Sequence, residues 1–376
     1  MEWNRVMHAQ TVSIIVVAGL LWGSDAMAAD AKDLPDWIKP LQTPREPSSG
    51  VPAKTYDLAK TPDGTPITTP GQWRTQRRAI HDKWRRFLGQ LPKPHCPLEP
   101  ETVETTALDG GVTRRLIRIQ VEPGIGMRCY LFVPAGKGPF PACVCLHSTS
   151  DETIRQPAGL GAQPEKAFAL DLAKRGYVTI APENFEWRYP GRPTEGKAWD
   201  KFHVVARIFM AKYPGAKGMA KMIHDASRAV DYLCTLPQVR KDAIGAIGHS
   251  LGAKEVTYLQ AFDERVVCGV SSEGGVAFEF TNYHDPWYLG PDIKKPDCNL
   301  YAHEVVALIA PRAWLLIGGN SADGDKSWPY VAPVLPIYRL LGQPANVGVF
   351  VHKHGHAVPL EARKIAFRWL DYHLKK

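Results

Sequence analysis

One stretch decides the fold of this chain: Ala243-Ile244-Gly245-Ala246-Ile247-Gly248-His249-Ser250-Leu251-Gly252. Its first half is apolar and predicts a buried strand, and residues 253–262 have the composition of a helix. The turn between them must be sharp, because small residues two positions either side of Ser250 let the strand and the helix approach without a clash. Ser250 is therefore expected to adopt a strained backbone, with its hydroxyl exposed and helix amides aimed at it.

From residue 140 onward, apolar runs and helix-like runs alternate. This order predicts an α/β fold with a mostly parallel central sheet and helices on both of its faces. An amphipathic helix (71–89) and an antiparallel hairpin (114–121 and 127–133) precede it. The predicted strands are 142–146, 177–181, 243–247, 266–270, 313–317 and 347–351, and the predicted helices are 165–174, 218–236, 251–262, 329–341 and 359–374.

Residues 1–28 have the pattern of a signal peptide. Arg5 precedes an apolar stretch from Val12 to Trp22, and Ala26-Met27-Ala28 forms a cleavage site. The apolar stretch is shorter than the roughly 20 residues that cross a bilayer. We therefore expect an exported protein, periplasmic or secreted, without stable membrane insertion after cleavage.

The remaining chain divides into two parts. Residues 29–69, rich in Pro, Thr and Gly, predict an extended lead-in. The length of the rest suits one large α/β domain or two small ones, and we expect residues 70–376 to form one domain. The sequence does not indicate an oligomeric state.

The formal net charge is +8, but the basic residues are scattered. One basic cluster, from Arg74 to Arg86, is interleaved with Trp73, Trp84 and Phe87 at helical spacing. This is typical of a helix that packs an aromatic face and solvates a basic one, so no nucleic-acid partner is predicted.

Seven cysteines are an odd number, so at least one thiol is expected to be free or intermolecular, and no disulfide framework is predicted. Cys143 and Cys145 fall on the same side of one predicted strand and are expected in the core. Cys96 and Cys298 are the candidates for exposed thiols.

Two segments, 184–217 and 277–302, interrupt the strand and helix alternation. Both are rich in aromatic and charged residues, and both leave the carboxyl ends of strands, where open α/β sheets bind their ligands. They are predicted to form the walls of a cleft, although some of their aromatic side chains could instead pack the insertions onto the sheet.

The pattern Gly-x-Ser-x-Gly at 248–252 is typical of the nucleophile elbow of serine hydrolases. A serine hydroxyl needs a base, and the base needs an acid that orients it; in this topology they follow in the order Ser, acid, His. His356, on a loop after the last strand and preceded by a glycine, is the predicted base. His354 is the alternative, and His352 at the strand end is expected to pack.

Three carboxylates are candidates for the acid. Asp325 is preferred, because a helix start follows it, and Asp323 would then be a loop-capping carboxylate. Glu273 follows the earlier strand 266–270. It could be the acid, but a role in binding substrate or locking the elbow is preferred.

The amide of Leu251 is expected to donate to the oxyanion, together with an amide of the loop after strand 142–146, either Thr149 or Ser148. Lys254 lies one helical turn beyond Ser250. It either lines the cleft or is a solvated surface lysine. No phosphate loop, dinucleotide fingerprint or zinc motif occurs, so no cofactor and no metal are predicted.

At Gly248 to Lys254, Glu273-Gly274-Gly275, Asp325 and Gly355-His356 the chain resembles the α/β-hydrolase superfamily over about residues 70–376. Within it the chain resembles secreted bacterial dienelactone-hydrolase-like and acetyl xylan esterase-like proteins. It is distantly similar to glucuronoyl esterases, which share the lysine four residues after the serine but have arginine where this chain has Leu251.

The resemblance implies a carboxylic ester hydrolase that works through an acyl-enzyme on an esterified plant or cell-wall carbohydrate. A small-molecule or carbohydrate ester is therefore the expected partner. A serine peptidase or lactone hydrolase of the same fold is an alternative, and a non-catalytic binding protein on a hydrolase scaffold is another.

Overall fold

The structure, a computed structural model, describes residues 34–46, 52–89, 91 and 96–376. The predicted signal peptide at 1–28 lies outside these residues. The sheet has nine strands: β1 (Glu101–Ala107), β2 (Thr113–Glu122), β3 (Ile125–Val133), β4 (Phe140–Leu146), β5 (Val178–Pro182), β6 (Val239–His249), β7 (Val266–Ser272), β8 (Ala313–Gly318) and β9 (Val347–Val351).

The strands lie in the order β1-β2-β3-β5-β4-β6-β7-β8-β9. The first three form an antiparallel meander that joins β5 in antiparallel register. From β5 through to β9 all neighbours are parallel. The chain therefore passes from β4 to β5 on one side and then to β6 on the other side, so the carboxyl ends of β4 and β6 flank a point where ligands bind in such sheets.

Ten α-helices occur among the described residues: α1 (Pro70–Leu88), α2 (Phe168–Lys174), α3 (Phe185–Arg188), α4 (Ala198–Lys212), α5 (Gly218–Thr235), α6 (Leu251–Phe262), α7 (Ala302–Ile309), α8 (Trp328–Val331), α9 (Leu335–Leu340) and α10 (Leu360–Leu374). The prediction of an α/β fold with a mostly parallel sheet is confirmed. In the same part of the chain, no helix is both long and apolar enough to cross a membrane.

Two of the features that differ from the expectations have a simple physical cause. The predicted helix 329–341 is instead α8, a 3-10 turn and α9, because Pro333 and Pro336 lack the amide that a continuous helix needs. Strand β1 was not predicted, since its residues are polar and almost all exposed at the edge of the sheet.

The core forms on both faces of the sheet. Along β4, Ala142, Val144 and Leu146 pack into one apolar cluster, while Cys143 and Cys145 pack into the other. This is the alternation expected for a strand that is buried on both faces. All seven cysteines are unpaired, and Cys96 and Cys298 are partly exposed.

Segments before the sheet also pack onto the rest of the protein, α1 against α7 and the 3-10 turn of the lead-in against β9. Helix α1 begins with a capping box between Thr69 and Gln72 and buries Trp73 and Trp84, while its basic side chains face outward or lie at the edge of the contact. In the lead-in, Leu41 is buried on a short 3-10 turn (Lys39–Gln42).

The turn after β6 is as sharp as predicted. Ser250 has φ 59° and ψ −118°, a conformation that costs an L-residue about 1–3 kcal/mol. A Cβ at Gly252 would overlap the carbonyl of Leu146, and one at Gly248 would overlap the backbone of Gly252. The absence of side chains therefore lets α6 start directly above β4 and β6, which positions Ser250.

We predict that Gly252→Ala lowers the free energy of unfolding by about 1–3 kcal/mol, because the new methyl group meets backbone atoms that cannot move aside. Gly71→Ala is the matched control, since its Cβ would lie 3.6 Å from the nearest atom and its φ is not positive. Urea denaturation of both variants provides the comparison, and equal stability of the two would contradict the prediction.

Candidate active site

Ser250 lies where three strand ends meet. Its amide donates to the carbonyl of Ser272 at the end of β7, at 2.9 Å, and its own carbonyl accepts from Ala253 at 3.1 Å as α6 begins. The side chain borders a cavity of about 230 Å³ at the carboxyl ends of the parallel strands. The cavity is lined by Thr149, Trp199, Ser250, Lys254, Glu273, Phe280, Thr281, Asn282, Tyr288, Ala322 and His356.

His356 borders the same cavity from the loop after β9. Gly355, in the left-handed region with φ 64°, donates its amide to Gly319 at 2.8 Å and turns the loop toward the sheet. The Nδ1 atom of His356 lies 3.1 Å from Oε2 of Glu273. A carboxylate accepts only, so Nδ1 carries the proton and Nε2 is free to act as a base.

Glu273 is fully buried directly after β7 and has φ 54°. Its amide donates to the carbonyl of Ile317 at 2.8 Å. Its carboxylate accepts from the amides of Gly319 and Ala322, the latter at 2.7 Å, as well as facing His356. Several hydrogen bonds therefore hold this carboxylate, and it links the ends of three strands.

The preferred acid, Asp325, does not contact His356. It lies on a 3-10 turn, where its carboxylate pairs with Arg45 at 3.3 Å and with the amide of Asn320 at 3.4 Å. The loop after β8 turns back beyond Gly319, which carries Asp325 away from the imidazole. The expected contact between Asp325 and His356 is therefore not found, and the carboxylate beside the imidazole is that of Glu273.

Asp323 is buried and holds a neighbouring loop. Its carboxylate accepts from the amides of Gly275 and Val276, at 2.6 and 2.9 Å, and from the hydroxyl of Ser327 at 2.8 Å. Burial, followed by the charge of Glu273, raises the pKa of Asp323. These contacts are those of a loop-capping carboxylate.

The other two histidines of the loop have separate contacts. His354 is exposed and lies 3.0 Å from Glu361. His352 is buried, and its amide donates to the carbonyl of Gly318 at 2.9 Å.

The amides predicted to bind the oxyanion belong to the start of α6 and to the loop after β4. The amide of Ser148 donates to the side chain of Gln156 at 3.0 Å and is therefore already used, whereas Thr149 borders the cavity. His147 fixes the loop, because Nδ1 bonds the carbonyl of Ser148 at 2.7 Å and Nε2 accepts from the amide of Asn184 at 3.1 Å. Burial lowers the pKa of His147, which is consistent with this neutral form.

His249, the residue before Ser250, was not singled out from the sequence. Its ring centroid lies 4.7 Å from that of His356, and its Nδ1 lies 3.2 Å from the hydroxyl of Ser272. Burial, followed by the charges of Lys166 and His356, holds the pKa of His249 well below its usual range. A neutral ring therefore supports one side of the His356 imidazole, and its place inside the elbow motif was the available signal.

Lys254 is buried and lines the cavity, so it is not a solvated surface lysine. Its ammonium donates to the carbonyl of Gly274 and lies 5.1 Å from the ring centroid of Tyr283 and 5.4 Å from that of Tyr288. Burial lowers its pKa to about 8, while the charges of Asp323, Asp285 and Glu273 oppose that shift.

The two insertions both contribute to the cavity. Trp199, in the first turn of α4, and Tyr288 form part of its wall. Trp287 and Tyr283 are buried and pack the second insertion onto the body of the protein. The expectation that some of these aromatic residues line the cleft and others pack is therefore confirmed.

Other possible sites lack this combination of groups. Three larger cavities, of about 410, 590 and 370 Å³, have no serine or histidine in their linings, and the first two share Lys83. In the described ranges, no three His, Cys, Asp or Glu side chains are placed to hold a metal ion.

Comparison with known proteins finds similarity to hydrolases. A family model described as BAAT / acyl-CoA thioester hydrolase C terminal matches residues 227–291, the part that contains Ser250 and Glu273. The "Putative hydrolase YtaP" of Bacillus subtilis (strain 168) is 28% identical over 246 residues, which is 62% of this chain and 77% of that protein.

Two solved structures share the fold. A glucuronoyl esterase from Solibacter usitatus superimposes with a TM-score of 0.67 at 19% identity, covering 86% of this chain and 99% of that one. A "putative acetyl xylan esterase" from Bacteroides fragilis superimposes with a TM-score of 0.58 at 20% identity, covering 76% of each chain. The chain therefore has the α/β-hydrolase fold of these esterases, and the proteins it resembles in sequence are hydrolases.

The lowered pKa of Lys254 predicts a pH dependence of stability. The usual lysine pKa is 10.5 and the folded value is about 8, so between these values the unfolded chain binds more protons than the folded one. The contribution of Lys254 to stability is therefore least favourable below pH 8 and improves as the pH rises toward 10.5.

The variant Lys254→Met should lose this dependence. We expect the difference in unfolding free energy, parent minus variant, to increase between pH 7.5 and pH 10 in urea titrations, because the other titrating groups are common to both proteins. The exposed Lys137→Met serves as the control for removing a lysine charge at the surface. Parallel pH profiles for the parent and Lys254→Met would contradict the prediction.

Proposed function

We propose that this protein is a carboxylic ester hydrolase with Ser250 as nucleophile, His356 as general base and Glu273 as the acid that orients His356. The single observation that supports it best is the 3.1 Å contact between Glu273 and His356 in the cavity that Ser250 borders. The proposal assigns the acid to the end of β7 rather than to Asp325, because only Glu273 contacts the imidazole.

In the proposed acylation step, Nε2 of His356 takes the proton of the Ser250 hydroxyl while Oγ bonds to the carbonyl carbon of the ester. The carbonyl electron pair moves onto oxygen, where the amides of Leu251 and Thr149 would donate to it. The intermediate then collapses, the bond to the alcohol oxygen breaks, and His356 returns the proton to the departing alcohol. Glu273 stabilises the imidazolium that exists between these two transfers.

Deacylation repeats the sequence with water. His356 takes a proton from a water molecule, whose oxygen bonds to the acyl carbon, and then returns the proton to Oγ of Ser250 as the carboxylic acid leaves. His249 supports this cycle as a neutral neighbour of His356, since a second charge at 4.7 Å would oppose formation of the imidazolium.

A carbohydrate ester is the proposed substrate class. The lining combines aromatic Trp199 and Tyr288 with polar Thr281, Asn282 and Lys254, a combination suited to a ring that has both apolar faces and hydroxyl groups. The named activities of the two solved structures point to the same class. Leu251 occupies the position of the arginine of glucuronoyl esterases, so no guanidinium lies directly beside the nucleophile.

Export is proposed from the pattern of residues 1–28 alone.

An ester panel distinguishes the proposed activity from its alternatives. Acetyl and methyl esters of sugars, a lactone and a peptide amide would be compared at equal concentration, with the sugar esters expected to be hydrolysed fastest.

For the nucleophile, we predict that Ser250→Ala abolishes labelling by a fluorophosphonate probe and lowers kcat about 10⁶-fold, the scale seen when a triad serine is removed. The exposed Ser321→Ala is the control and should label as the parent does. Near-parental labelling of Ser250→Ala would exclude this serine and with it the proposed mechanism.

For the acid, we predict that Glu273→Gln lowers kcat about 10⁴-fold, because an amide cannot stabilise the imidazolium and can hold the wrong tautomer of His356. Asp325→Asn is the matched control, with an expected change below about threefold, since its contacts are to Arg45 and Asn320. Kinetics on an aryl acetate, with circular dichroism to verify folding, make the comparison. A larger loss for Asp325→Asn would return the acid to the loop after β8.

A further inference from the structure

Trp199 is the feature of the cavity that the proposed chemistry leaves unused. Its exposed fraction is 49%, and in the described residues only two other large hydrophobic residues are exposed, Val103 and Leu360. Neither of those borders the cavity that contains Ser250, whereas Trp199 does. An apolar ring of this size is normally buried, so its exposure beside the nucleophile points to a bound group.

The exposed indole is held in one orientation. Trp287, which is only 1% exposed, lies behind it with ring centroids 5.2 Å apart and an interplanar angle of 32°. Phe202 contacts it edge to face, at 5.8 Å and 85°. Trp287 packs at a tilt against one side of the Trp199 ring, and we infer that the exposed part of Trp199, which borders the cavity, includes the opposite, open face.

The aromatic packing around Trp199 extends to the loop where the amide of Thr149 is proposed to bind the oxyanion. Phe202 packs on Trp187 at 4.8 Å, and Trp187 packs on His147 at 5.0 Å. His147 in turn holds the loop that carries Thr149. The position of Trp199 is therefore fixed relative to the site where the ester carbonyl would lie, as a specificity subsite requires.

We propose that the open face of Trp199 binds the apolar face of a pyranose ring of the ester substrate. The proposal rests on the proposed function and specifies its substrate. The ring hydrogens of a pyranose carry partial positive charge and match the negative face of the indole, while the hydroxyl groups at its edge can reach polar Thr281, Asn282 and Lys254. A substrate without such a ring leaves this surface solvated.

Binding and catalysis are measured separately. Calorimetric titration with xylotriose, which has pyranose rings but no ester, tests the subsite without turnover. Hydrolysis of ethyl acetate and of acetylated methyl β-xylopyranoside compares two acetyl esters that differ only in the alcohol. Fluorophosphonate labelling of each protein reports on Ser250 independently. The variants are Trp199→Ala and Trp199→Phe, with the exposed Val103→Ala as the control.

The proposal expects Trp199→Ala to weaken xylotriose binding at least about tenfold, Trp199→Phe to retain part of it, and Val103→Ala to match the parent. It also expects kcat/KM of Trp199→Ala to fall about tenfold more on the xyloside than on ethyl acetate, mainly through KM.

Three results would overturn the subsite: no xylotriose binding by the parent, equal binding by the parent and Trp199→Ala, or equal loss on both esters, which would assign Trp199 a purely structural role. Failure of the parent to label would instead refute the proposed function, while the calorimetric result would still test the subsite.

Discussion

The carboxylate of Glu273 is the group on which the arrangement of this site depends. It accepts from the amides of Gly319 and Ala322 and faces His356, so one buried charge connects the end of β7 with the loops that follow β8 and β9. A buried carboxylate is costly unless hydrogen bonds satisfy it, and here the donors come from loops that are distant in sequence. The sheet must therefore fold before the Glu273 carboxylate can accept these hydrogen bonds. Once it is held by them, the carboxylate determines the position of the His356 imidazole.

The two insertions, 184–217 and 277–302, form another part of the cavity wall. They bring aromatic side chains over the carboxyl edge of the sheet, and the packing of Trp199 on Trp287 joins the first insertion to the second. The series through Trp187 reaches His147, which is bonded to the ends of both β4 and β5. The wall of the cavity and the loop after β4 are therefore parts of one packed structure.

Expectations from sequence were most accurate where the signal is local. The strand, turn and helix around Ser250 follow from apolar runs and from glycines at fixed spacing, and helix 251–262 was predicted to its exact bounds. Asp325 was preferred over Glu273 as the acid because its local context matched a familiar pattern. Contact with His356, however, depends on the positions of two loops in the folded structure. The sequence around Asp325 or Glu273 gives no information on those positions.

The sequence by itself determined the fold class, the position of the elbow and the set of groups able to serve as base and acid, because periodicity and backbone restrictions act over a few residues. Only the tertiary structure decided which carboxylate meets His356, that Lys254 is buried in the cavity, and which insertion aromatic remains exposed. Those outcomes depend on how strands β7, β8 and β9 align side by side. Along the sequence, each of these strands is separated from the next by tens of residues.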